Sequence, residues 1–212
     1  MDCLRNLQYR QELHDRFFHN DIYTLSKHRR LEHLTLHHVK YTAQLMETVE
    51  LIAGDTEESR KARGENWGVT HSFIQRRCLD GLLVCLSMLN VMNIKVGEVW
   101  DTNRTWGLDK CSRHGVYAAG RLAKLIEDID HMVMVGVTDG VRREVGILIK
   151  VYEHFLWSYG FAAGDNPEAE VRFMVFNRLL ELEQRHMFFD RYMLEIDILM
   201  DKRAQRVQDN AT

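Results

Sequence analysis

Proline is almost missing from this 212-residue chain, which has only Pro167, and its thirteen glycines fall mostly between periodic segments. β-Rich folds need far more turn punctuation, so an all-α chain is expected. Long apolar runs are missing too: no stretch reaches the roughly 18 residues of a membrane span. The opening segment, MDCLRNLQYRQELHDRFF, carries acids and bases throughout and has no apolar signal-peptide core. Charge of one sign is lacking as well. A net charge of −3 gives no electrostatic case for nucleic acid or a membrane surface as the main partner. The short basic run KHRR at 27–30 does not alter that balance. Four cysteines, Cys3, Cys78, Cys85 and Cys111, form no CxxC. Cys78 and Cys85 lie seven apart on one apolar helix face, as buried thiols do, and a reducing cytoplasm is the expected location. Phosphate-cradling glycine loops, GxSxG and HExxH are all absent.

What is present is helical periodicity. Residues 4–19 form a first helix with Leu4, Leu7, Leu13 and Phe17 on its apolar side. Ser26 can cap a second, which runs to Ala53 with Leu31, Leu34, His38, Tyr41, Leu45, Val49 and Ile52 inward and ends at Gly54. Asp55 and Glu58 resemble a capping box for a short helical piece. A third helix is expected from Thr70 to Met92, and after Cys78 it is almost wholly apolar, as a central, many-sided packing element must be. A turn and a short helix follow. Ser112 and Thr138 are caps for a fourth and a fifth helix, the fifth ending near Tyr159. Asn166, Pro167 and Glu168 give a strong start for a sixth, running to about Val207. The segments GVTHSFIQRRCLDGLLV (68–84) and GVTDGVRREVGILI (136–149) echo each other, which raises an internal duplication as a possibility.

LHHVKYTAQLMETVE, a break, and then RRCLDGLLVCLSMLNVMNIKVGEVWDTNR resemble the MazG-like all-α nucleotide pyrophosphohydrolase family over roughly residues 5–105. LQYRQELHDRFF resembles that family's leading helix. The resemblance implies an acid-rich helix beside one that opens with ExxD. Carboxylates on the two helices would hold Mg²⁺ around a triphosphate and activate a water. Asp80 matches the Asp of ExxD and is the implied catalytic residue and Mg²⁺ ligand, but Arg77 occupies the Glu position. The ExxE positions of the partner helix fall on Tyr41 and Gln44, with Lys40 just before. Lys40, Arg77 and Arg104 would then meet phosphates directly. Glu47 with Glu50, and Glu98 with Asp101, could supply displaced metal ligands. Glu127, Asp128, Asp130, His131 and Glu144 offer further acids and a histidine in the second half.

Seven of the eleven histidines lie in the first 71 residues. His33 and His37, at i and i+4, have the spacing of a shared transition metal, whereas His38 belongs to the core stripe as a hydrogen-bonded histidine. RLEHLTLHHVKYTAQL also faintly resembles the opening helix of HD-type phosphohydrolases, yet the chain's one His-Asp pair, His14–Asp15, precedes that helix. Glu183 and His186 make an ExxH like half of a ferritin-type site. A bundle of about five to six helices is expected, with residues 1–105 as the MazG-like region and 106–212 packing on it in one compact domain. Two functions follow: Mg²⁺-dependent hydrolysis of a nucleoside triphosphate to monophosphate and pyrophosphate, or a non-catalytic nucleotide- or protein-binding module on the same scaffold. The Met-rich, aromatic last helix points to a homodimer.

Overall fold

A computed structural model describes residues 3–100, 107–130 and 136–209. Four long helices form its centre: α3 (Lys27–Ala53), α5 (Trp67–Met92), α6 (Leu108–Asp130) and α7 (Val137–Ser158). Helices α3 and α7 each touch both α5 and α6, so the four close into a ring. Every neighbouring pair runs antiparallel. On α3 and α5, His38 meets Cys85 while Tyr41 meets Arg77. On α6 and α7, Arg121 meets Glu144 while Cys111 meets the carbonyl of Val151.

The sequence explains this ring. After Cys78, α5 is buried on nearly every side, with Leu82, Cys85, Leu86, Met88 and Leu89 wholly enclosed. Gly81 lets α7 approach: a Cβ there would lie 2.4 Å from the Tyr152 ring. Tyr152 is fully buried, and its hydroxyl reaches Nδ1 of His38 at 3.0 Å, which satisfies a group that would otherwise be costly to bury. Burial, then the neighbouring His37, lowers the His38 pKa to about 3, so its ring is neutral. Cys78, Cys85 and Cys111 are buried free thiols, and burial pushes the Cys111 thiol up to about 12.

Ser26 and Asn166 cap as expected: their side chains accept from the backbone N–H of Arg29 and Ala169. Other starts lie earlier. Helix α5 begins at Trp67 and α6 at Leu108, so Thr70 and Ser112 fall inside the helices. Thr56, not Asp55, caps the short α4 (Glu57–Arg63). The described residues hold nine α-helices rather than five or six, because short turns count and the last helix is broken. A straight helix over 167–207 would run about 60 Å. Instead α8 (Pro167–Gln184) stops, His186 Nδ1 accepts from the N–H of Phe188, and α9 (Phe189–Asp209) begins. The break sets Tyr192, Met193 and Ile196 against Leu13 and Phe18 of α1 (Cys3–Phe18).

Helix α1 packs on α5, with Gln11 reaching Ser87 and Gln8 bonding the carbonyl of Ile94. The short α2 (Asn20–Tyr23) turns the chain towards α3. No helix among the described residues is long and apolar enough to cross a membrane.

Candidate functional site

Three amphipathic helices each turn one mixed stripe towards a common cavity. From α1 come Gln11, His14 and Asp15; from α3, Arg30, His33, His37 and Tyr41; from α5, Asp80, Leu83, Val84 and Ser87. Each set follows the i, i+3, i+4, i+7 spacing of one helix face. His19, Tyr23 and Leu182 of α8 add to the lining, around a volume of about 230 Å³. That is slightly below the roughly 300 Å³ at which pockets for larger ligands begin. The cavity is open, so it can take a ring inside and leave charged groups at its mouth.

Asp80 stands on the wall of this cavity with its side chain 14% exposed. Its carboxylate accepts from Nε of Arg178 at 2.8 Å, and Nη1 of Arg77 lies 3.9 Å away. Arg178 sits on α8, 98 residues along the chain, and also donates to Glu181 at 2.6 Å. Arg77 stacks over the Tyr41 ring at 5.5 Å and over Phe73 at 4.9 Å. Its Nε is buried and has no hydrogen-bond partner in the protein. Lys40, exposed, lies 4.8 Å from the same Tyr41 ring. Asp80, Arg77 and Lys40 are thus brought together around Tyr41.

The other expected ligands lie apart. Glu47 and Glu50 are exposed on α3, about 9 and 14 Å along the helix from Tyr41. Glu98, in the 3-10 turn Val96–Glu98, pairs with Arg142 of α7 at 3.5 Å. Arg104, Asp101 and His131 lie outside the described residues. In the second half, Glu127 and Asp128 share Lys124, and Glu144 is enclosed between Arg121 and Arg143. Among the described residues, no three or more of His, Cys, Asp and Glu gather as a metal cluster. Glu183 binds Arg10 at 2.6 Å and lies 3.5 Å from His14, while His186 packs edge-on against Phe18.

The histidines converge more than the acids. His33 Nε2 lies 3.2 Å from His37 Nε2, and His37 Nδ1 lies 3.2 Å from the Tyr41 hydroxyl. Burial, then Lys40 and His33, hold the His37 pKa at about 4. Burial lowers His19 as well, with His14 adding to it. Burial raises Asp15 against the hydrogen bonds of Ser87 and Gln11. Burial thus favours the neutral forms of Asp15, His19 and His37, while fixed positive charge stands at Arg30 on the cavity wall and at Arg77 and Arg178 beside Asp80.

Arg178, Arg30 and the His14–Asp15–His19 wall were not singled out from the sequence as parts of this site. Nothing in the linear pattern marks Arg178. The spacing of Gln11, His14 and Asp15 puts them on one face of α1, but nothing local shows that this face turns inward. Neither a protein-family model, nor a curated protein, nor a solved structure matches this chain.

Proposed function

We propose that this chain binds a nucleotide in the cavity between α1, α3 and α5, gripping its phosphates with arginine and lysine in place of a carboxylate-held Mg²⁺, on a scaffold of the MazG-like type. One observation carries the reading: Asp80, the family-type acid, sits between Arg77 and Arg178 on the wall of a histidine-rich cavity. A Mg²⁺ ion at Asp80 would lie beside two guanidinium groups, and like charges that close repel strongly in a partly dry site. Phosphate oxygens meet the opposite situation. Arg77 has an unpaired buried N–H, and the exposed Lys40 lies against the same Tyr41 ring. Guanidinium groups suit phosphate because their forked donors match its oxygens. The apolar part of the lining, with Leu34, Leu83, Val84 and Leu182, suits a base stacked near Tyr41 and Tyr23.

The reading favours binding over hydrolysis, because the displaced acids Glu47, Glu50 and Glu98 stand away from Asp80. The test is to incubate the chain with each NTP and dNTP, with Mg²⁺ or with EDTA, while following both binding and pyrophosphate. The reading expects binding in EDTA and no pyrophosphate above that of Asp80→Ala. Pyrophosphate release abolished by Asp80→Ala would establish the hydrolase instead, and absence of binding to every nucleotide would end the proposal.

A homodimer is part of this proposal. Met187, Phe188, Leu194 and Ile198 expose apolar surface around the α8–α9 break, which supports self-association. A monomeric mass by light scattering would remove it.

A further inference from the structure

We propose that His33 and His37 form a binding site for a divalent transition ion of the Zn²⁺ class, with its remaining coordination positions open to the cavity. The inference does not rest on nucleotide binding. Both residues lie inside the 27-residue α3, about two to three turns from its start, and i, i+4 spacing stacks their rings on one face. Their Nε2 atoms face each other at 3.2 Å. Two nitrogens bound to one tetrahedral Zn²⁺ at about 2.0–2.1 Å stand about 3.3–3.4 Å apart. The pair is therefore already at chelating separation, and a small rotation of each ring turns the contact between them into a shared ion.

Tyr41 supplies the outer support. Its hydroxyl lies 3.2 Å from Nδ1 of His37, which fixes the ring and leaves Nε2 as the ligating atom. Imidazole donors select Zn²⁺, Co²⁺, Ni²⁺ or Cu²⁺ over Mg²⁺, which demands oxygen. Two protein ligands leave two tetrahedral positions. They face a cavity whose walls also carry His19, Asp15 and Asp80, and are open to water or to an anionic or nitrogenous ligand. His38 is the internal contrast. It is the next residue and lies 3.8 Å from the soft Cys85 sulfur, yet both are sealed in the core and hold no such opening.

The test uses the full chain, stripped with EDTA, with no nucleotide present. Zn²⁺ is titrated against a chromogenic chelator, Co²⁺ is followed by its visible absorption, and histidine ring signals are followed by NMR. The expected result is one ion per chain, with the ring signals of His33 and His37 shifting together and excess Mg²⁺ failing to compete. Tyr41→Phe should weaken the ion about tenfold, as loss of an outer-shell partner does. His33→Gln and His37→Gln should each weaken it more. Binding that persists in the double histidine variant, or ring shifts confined to other histidines, would overturn the proposal, as would no binding at all. The wild-type NMR shifts decide the matter even if a variant fails to fold. Nucleotide binding without metal binding would defeat this inference alone, and the reverse would defeat only the nucleotide reading.

Discussion

The two hairpins of the bundle treat a carboxylate held by two arginines in different ways. In α6–α7, Glu144 is wholly enclosed, and Arg121 and Arg143 reach it from solvent at 2.7 and 2.9 Å. In α3–α5, Asp80 borders a cavity, its near arginine Arg178 is buried, and Arg77 keeps an unpaired N–H. Glu144 has its charge answered in place. Burial pushes it up, but the arginine hydrogen bonds prevail and its pKa falls below the ordinary carboxylate value. At Asp80 the arginines are less fully engaged: Arg178 is shared with Glu181, and Arg77 keeps an Nε–H without a partner, beside a carboxylate that lines the cavity. A similar arrangement of charges is thus sealed at Glu144 and borders a cavity at Asp80.

The strongest test of that contrast lies at a third, fully closed carboxylate. Glu183 and Arg10 are both buried, so Glu183→Ala strands a charge and should cost about 3–5 kcal/mol in urea unfolding. Nucleotide affinity should change far less. A loss under 1 kcal/mol would mean that sealed pairs here are not structural.

Next comes the sealed histidine. His38 stands at about 3 in the fold against an ordinary 6.5. Below 6.5 the unfolded chain gains a proton that the native chain refuses, so this contribution is complete above that pH and declines as pH falls towards 3. Between pH 7 and 5 the decline is about 2 kcal/mol. The difference in pH slope between wild type and His38→Gln measures it. Equal slopes would contradict the enclosure of His38.

Two substitutions then set the hairpins side by side. Arg77→Ala should weaken nucleotide binding about tenfold, equal to roughly 1.4 kcal/mol, with little change in melting. Glu144→Gln should do the opposite, lowering stability by about 1 kcal/mol and leaving binding untouched. If both variants act alike, the distinction between open and closed sites fails.

Much of the fold was legible because helix periodicity and capping are local. Ser26, Gly54 and Asn166 mark true boundaries, and the apolar stretch after Cys78 is the central helix. The break at 185–188 was not legible, since it arises from Tyr192 and Ile196 meeting Leu13 and Phe18 far back in the chain. The site divides the same way. His33 with His37, and the core role of His38, follow from spacing on one helix. Arg178 beside Asp80 depends on how α8 lies along α5, a tertiary fact with no local signature. Glu98 looked like a possible ligand because ExxD is a local pattern, whereas its actual partner, Arg142, is 44 residues on.

The most direct test of the central claim is calorimetric titration of the full chain with nucleoside triphosphates, in EDTA and again with excess Mg²⁺. The account predicts heat of binding in EDTA that does not require the metal, with an affinity about tenfold weaker in Arg77→Ala. Binding that appears only with Mg²⁺ and vanishes in Asp80→Ala would contradict it.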